Sequence, residues 1–219
     1  MNHSHTAESD ARLFHQFADM EQQHESWSLG MWVFLASEVL FFGALIFSFL
    51  LYRSVYWPTF LEGTHELDLV IGGINTAILL TSSFTMVLAV YTAQNGNHRM
   101  AAFWLIVTSL LGLAFIGVKI HEYGLKWEHH LIPIQGLEFE WHGEHPQQAR
   151  MFFSFYFTLT GLHALHVLVG ILAIWVVAYR VAKNHFGNDY MPVEIMGLYW
   201  HFVDLVWIFL YPILYLFRA

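Results

Sequence analysis

The chain contains no cysteine among its 219 residues. That excludes disulfides, c-type haem attached through C-x-x-C-H, iron-sulfur clusters and a thiolate-bridged dinuclear copper centre. Charge is scarce as well: Asp, Glu, Lys and Arg make up only 12% of the residues, about half of what a soluble domain carries. The net charge of -8 is borne mostly by the amino-terminal segment and the loops. No polybasic patch offers itself to nucleic acid or anionic headgroups, so nucleic acid is not expected as a partner. The first 28 residues lack the basic start and apolar centre of a signal peptide, and the first apolar helix is expected to act as its own insertion signal. Neither an internal repeat nor a low-complexity tract is present, and no ten-residue alternation suggests a transmembrane barrel.

What the chain has in abundance is apolar and aromatic residues, 57% and 18% of the total. A hydrocarbon core about 30 Å thick takes roughly 20 helical residues to cross. Residues 69–92 and 151–179 contain no Asp, Glu, Lys or Arg, while 30–52 and 197–217 hold one acid each, Glu38 and Asp204. Lipid leaves exposed backbone groups without partners, so each stretch is expected to be a helix. The chain is therefore read as all-α, a polytopic membrane protein built as a bundle of five transmembrane helices. The expected spans are 30–52, 69–92, 100–119, 151–180 and 197–217, in a membrane domain covering 29–219. A polar arm, 1–28, precedes it, and an extramembrane loop, 123–149, rich in His and aromatics, is long enough to form a partner surface. At 1.5 Å per residue, 151–179 would measure about 43 Å and should tilt or project beyond the membrane. Asn95-Gly96 and Gly187-Asn188 carry the turn chemistry of short links between antiparallel helices. Arg12, Arg99, Arg180 and Lys183 on one side face Arg53, Lys119, Lys126, Arg150 and Arg218 on the other. Four against five leaves orientation open.

Several polar side chains fall inside these spans. Glu38 in SEVLFFG must be protonated or paired, because a carboxylate at that depth costs a few kcal/mol. It reads either as a proton-linked, reactive carboxyl or as a structural hydrogen-bonding group. In GLHALHVLVG, His163 and His166 stand three apart on one face with Gly170 and Ala173. That face suits close helix packing and could also offer ligands to a metal or haem. In GLYWHFVDLVWIFLYP, His201 and Asp204 are positioned to hydrogen-bond one another, and Trp200, Asp204, Trp207 and Tyr211 follow a helical repeat. Asn75 shares a stripe with Gly72, Leu79, Ser82 and Met86 and reads as interhelical glue. At the end of the third span Lys119 is expected to snorkel and Glu122 to meet water.

Taken together, SEVLFFG, Asn75-Thr76, His121-Glu122-Tyr123, GLHALHVLVG and YWHFVDLVWIFLYP resemble subunit III of the haem-copper oxidases, in that family's order and from about Trp32 to Tyr215. The most specific piece is W-H-F-V-D-x-V-W at Trp200–Trp207, followed by G-x-H-x-x-H at 161–166. The resemblance implies that Glu38 is the family's carbodiimide-reactive buried carboxyl. It implies lipid-binding or helix-contact roles for Asn75, Glu122, His163, His166, Trp200, His201, Asp204 and Trp207. It further implies an accessory subunit that is not itself catalytic, docked on the catalytic subunit I of a proton-pumping oxygen reductase among other oxidase subunits. Such a subunit holds structural phospholipid, shapes oxygen access and sustains proton uptake, binds no cofactor or metal of its own, and leaves haem and copper to its partners. A bacterial inner (cytoplasmic) membrane with a cytoplasmic amino terminus is implied as well. The family's long form has seven helices, the first two of which are replaced here by the polar arm. Cytochrome c oxidase, quinol oxidase and a nitric-oxide-reductase-associated relative all fit this pattern. Two readings of another class, a haem b anchor using His163, His166 or His201 and a di-iron membrane enzyme, need ligand sets the motifs supply only thinly or not at all.

Overall fold

A computed structural model of the chain describes residues 13–134, 139–187 and 189–218; the first twelve residues of the arm and part of the long loop lie outside these. The described residues are helical almost throughout. Helix α1 spans Met20–Val55, α2 Trp57–His65, α3 Leu69–Gln94, α4 His98–Glu128, α5 Pro146–Ala182 and α6 Met191–Tyr211, and a π-helical turn follows at Pro212–Leu216. All but α2 are long and apolar enough to cross a membrane, which makes five candidate spans.

Helix starts follow local capping chemistry. Asp19 accepts the Gln22 N–H ahead of α1, Asp68 accepts from Val70 and Ile71 ahead of α3, and Asn97 accepts from Met100 ahead of α4. Proline occupies the first turn of α5 and α6, where its missing N–H leaves no helical bond unmade. Gly96, with φ of +71°, makes the tight turn between α3 and α4.

The helices outrun the apolar stretches. α1 begins at Met20, within the polar arm, and α4 runs on to Glu128, taking up the first residues of the expected loop 123–149. With 37 residues, α5 is about 55 Å long. The short α2 was not foreseen; it packs Phe60 against Phe49 and Phe152 at ring separations of 5.6 and 5.5 Å. Pro212, lacking an N–H, interrupts the α-helical ladder at the end of α6, and the wider turn that follows buries Leu214 and Tyr215.

The bundle core is set by close approaches of small residues to tryptophan. α6 lays Trp200, fully buried, against Gly112 of α4 and Gly170 of α5, and its indole N–H donates to Ser82 Oγ at 3.1 Å. A Cβ at Gly112 would lie 2.8 Å from the Trp200 ring, whereas one at Gly117 would meet nothing within 4 Å. Gly112→Val is therefore expected to cost about 1–3 kcal/mol by overpacking, while Gly117→Ala should be neutral or slightly stabilising. Thermal melting of the two variants in detergent checks this: equal melting temperatures would mean that Trp200 yields freely.

Helix α1 is the least buried of the five spans. Leu35, Phe42 and Phe49 face the bundle, while Trp32, Val33, Leu40, Phe47 and Leu51 are exposed. In a bilayer such a surface is lipid-compatible, and it is also available to another membrane subunit.

Candidate functional site

The polar side chains inside the spans separate into three groups. The first joins α1 to α5. Glu38 Oε2 lies 3.2 Å from His166 Nε2, and the two side chains are 18% and 19% exposed. His166 Nδ1 is 2.8 Å from the Leu162 carbonyl. A carbonyl can only accept, so that nitrogen carries the proton and donates. Nε2 must then meet Glu38 either as a lone pair receiving the carboxylic acid's proton or as an imidazolium donating to the carboxylate. In both states the pair shares one proton and is neutral overall, which lowers its cost in hydrocarbon. Phe42 meets the imidazole edge-on at 5.1 Å, and Tyr199 of α6 donates to the His166 carbonyl at 2.9 Å.

A second group lies at the end of the bundle where α4, α5 and the π turn meet. Lys119 and Glu122 are 2% and 1% exposed and form an ion pair of 2.9 Å. Lys119 Nζ also reaches the hydroxyls of Tyr215 and Tyr156 at 3.0 and 3.3 Å. Tyr215 and Tyr156 both donate to Glu122 Oε1, at 2.7 and 2.9 Å. The ammonium is further surrounded by the rings of Tyr123, Tyr156, Trp207 and Tyr215, with centroids 5.1–5.6 Å away. The expectation that Lys119 snorkels and Glu122 meets water is thus overturned. Tyr215 arrives through the π turn and Tyr156 from α5, closing the pair off from the membrane interface. Sequence offered little signal for this network, since Tyr156 and Tyr215 lie far from Lys119 along the chain.

The third group surrounds α6. His201 Nδ1 pairs with Ser83 Oγ of α3 at 2.7 Å, and the intrahelical His201–Asp204 bond is not formed. Ser83 also lies beside Asp204, outside hydrogen-bonding geometry. Trp207 donates to Thr76 Oγ1 at 3.1 Å. His163 is fully buried, with Phe115 edge-on at 5.4 Å and Trp207 at 5.1 Å. Three apart on one helix means a rotation of about 60°, enough to aim His163 at Trp207 and His166 at Glu38. The single polar face expected for the pair is in fact two environments. Asn75, His163 and Asp204, all buried, have side-chain N and O atoms without a hydrogen-bond partner among the described residues. Each comes from a different helix, and such sites accommodate ordered water.

Among the described residues no three His, Asp or Glu side chains are grouped so as to hold a metal ion. For haem, His163 is enclosed by aromatic rings, and His166 Nε2 is turned to Glu38. The structure thus brings Glu38 to His166 and Glu122 to Lys119, places Trp200 and Trp207 in the core, and leaves Asn75, His163 and Asp204 inside the bundle.

The family model described as cytochrome c oxidase subunit III matches residues 9–128 and 130–219. Cytochrome c oxidase subunit 3 of Synechocystis sp. is 33% identical over 218 residues, covering 98% of this chain and 79% of that one. The protein of that name from Alkalihalophilus pseudofirmus is 35% identical over 191 residues, covering 86% and 85%. The cytochrome bo(3) ubiquinol oxidase subunit 3 of Pseudomonas aeruginosa is 33% identical over 207 residues, covering 92% and 91%. With this match running through every helix that carries the polar groups described above, the chain belongs to the cytochrome c oxidase subunit III family.

Proposed function

We propose that this chain is the accessory subunit III of a haem-copper terminal oxidase of the cytochrome c type, bound to subunit I in a bacterial inner membrane with its amino-terminal arm in the cytoplasm. It carries no redox group. Its work is to hold phospholipid beside the catalytic subunit, to shape oxygen access through that lipid and to sustain proton uptake over repeated turnovers. The observation that carries this reading is the family match over nearly the whole chain. The partly exposed Glu38–His166 pair supports it, since a neutral pair at the lipid-facing side of a bundle can exchange its proton without moving net charge into hydrocarbon. A second reading, subunit III of a quinol oxidase, is favoured by the Pseudomonas aeruginosa relative at similar identity.

Purification in mild detergent tests both. The expected result is co-purification with a large haem-bearing subunit that reduces oxygen, and no Soret band on the separated chain. A Soret band on this chain alone would establish the haem anchor instead, and co-purification with a nitric oxide reductase would remove the oxidase reading. A copper-binding Cys pair in the accompanying subunit II separates the cytochrome c from the quinol form.

A further inference from the structure

The tyrosines of the bundle differ in what receives their phenolic proton. Tyr199 and Tyr211 donate to the main-chain carbonyls of His166 and Leu69, at 2.9 and 3.3 Å, and Tyr123 shares a 2.6 Å hydrogen bond with the Thr160 hydroxyl. Neither a carbonyl nor a hydroxyl oxygen is a base at neutral pH. Among the described residues only Tyr156 and Tyr215 donate to a carboxylate, both of them to Glu122 Oε1. Tyr215 makes the shorter of these bonds, 2.7 Å, and is fully buried.

That difference decides what happens when a phenol loses an electron. A tyrosine radical cation is a strong acid, so its oxidation is easiest where the phenolic proton can leave in the same step. A base within about 2.6–3.2 Å of the hydroxyl allows this. Tyr215 meets the condition and also has a route for the electron. Its ring lies 5.5 Å from that of Tyr211, which is partly exposed at the bundle surface, and 6.4 Å from that of Trp207. Tyr211, bonded to a carbonyl, can relay an electron but has no base to take its proton.

We propose that Tyr215 is the site in this chain where a one-electron oxidation comes to rest, as a neutral tyrosyl radical with Glu122 as its proton acceptor. One electron passes from Tyr215, by way of Tyr211, to an outer-sphere one-electron oxidant outside the bundle. The phenolic O–H bond breaks, the proton forms a new O–H bond on Glu122 Oε1, and the oxidant is reduced by one electron. The charge left in the site is the Lys119 ammonium, which stays among the ring faces of Tyr123, Tyr156, Trp207 and Tyr215. One electron from a reductant such as ascorbate sends the proton back to Tyr215 and closes the cycle. The oxidised group is a side chain, separate from any prosthetic group, and its failure to oxidise would leave the family and the proposed accessory role untouched.

The test uses the intact purified oxidase, with photogenerated ruthenium tris-bipyridine as the oxidant and a sacrificial cobalt ammine to receive the flash-released electron. Samples are frozen after the flash and read by electron paramagnetic resonance. The wild type is expected to show a long-lived neutral tyrosyl component. Tyr215→Phe, which keeps the ring and removes the phenolic proton, should abolish that component. Glu122→Gln, which keeps the side-chain size and removes the base, should abolish it too. Tyr91→Phe, a change at an exposed tyrosine, should leave it intact. Melting temperatures establish which variants are folded; where Glu122→Gln is not, Tyr215→Phe decides alone, since Tyr156 still holds the carboxylate there. Persistence of the component in Tyr215→Phe or in folded Glu122→Gln would overturn the proposal, as would its loss in Tyr91→Phe.

Discussion

Lys119→Met is expected to destabilise the bundle by about 3–5 kcal/mol, the cost of leaving one member of a buried ion pair without its counter-charge. Glu122 would keep its two tyrosine donors but lose the ammonium that neutralises it. Glu122→Leu should do comparable damage from the other side, stranding Lys119 among aromatic rings and hydroxyls. The Lys119→Met/Glu122→Leu double variant should recover much of the loss, because two apolar side chains of similar volume remove both charges together. Melting temperatures of the four proteins in one detergent form a double-mutant cycle. Simple addition of the two single losses would show that the pair is not coupled and that each group is stabilised separately by Tyr156 and Tyr215.

Carbodiimide should modify Glu38 and spare Glu122 and Asp204, so that Glu38→Gln abolishes labelling within the membrane spans. The reagent requires access and a protonated carboxyl. Glu122 and Asp204 are 1% and 3% exposed, and Glu122 is also locked to Lys119. The Glu38 side chain is 18% exposed and lies 3.2 Å from the His166 imidazole. Peptide mapping by mass spectrometry reads the outcome directly, and modification of Asp204 in place of Glu38 would refute the access argument. In the assembled oxidase, Glu38→Gln is expected to keep initial oxygen reduction within about twofold of wild type while shortening the number of turnovers sustained. Immediate and complete loss of turnover would contradict an accessory role.

The spans were legible because bilayer thickness acts on composition alone, without reference to partners. Glu38 and the two histidines of α5 stood out for the same reason, being polar groups where such groups are costly. Pairings were not legible, because they depend on which helices become neighbours. His201 has Asp204 three residues away, yet it binds Ser83 across the interface with α3. Lys119 sits near an apparent helix end, where snorkelling is the default. α4 instead continues to Glu128, and the π turn at Pro212 brings Tyr215 over the ammonium. A proline near a chain's end announces an interruption of the helix but not where the following aromatic ring will point.

The pairing of Glu38 also bears on how the protein is made. Its partner is 128 positions further along the chain, so at about 5–20 residues per second roughly 6 to 26 seconds separate the synthesis of the two. The helices that cover α1 in the finished bundle, α5 and α6, leave the ribosome after it. During that interval α1 resides in lipid with an acid and no imidazole to meet it. Closing the bundle is then a later event in which the arriving α5 brings His166 to Glu38. A chain truncated after α4 should insert but leave α1 unattached, exposed to the quality-control proteases that recognise lone helices.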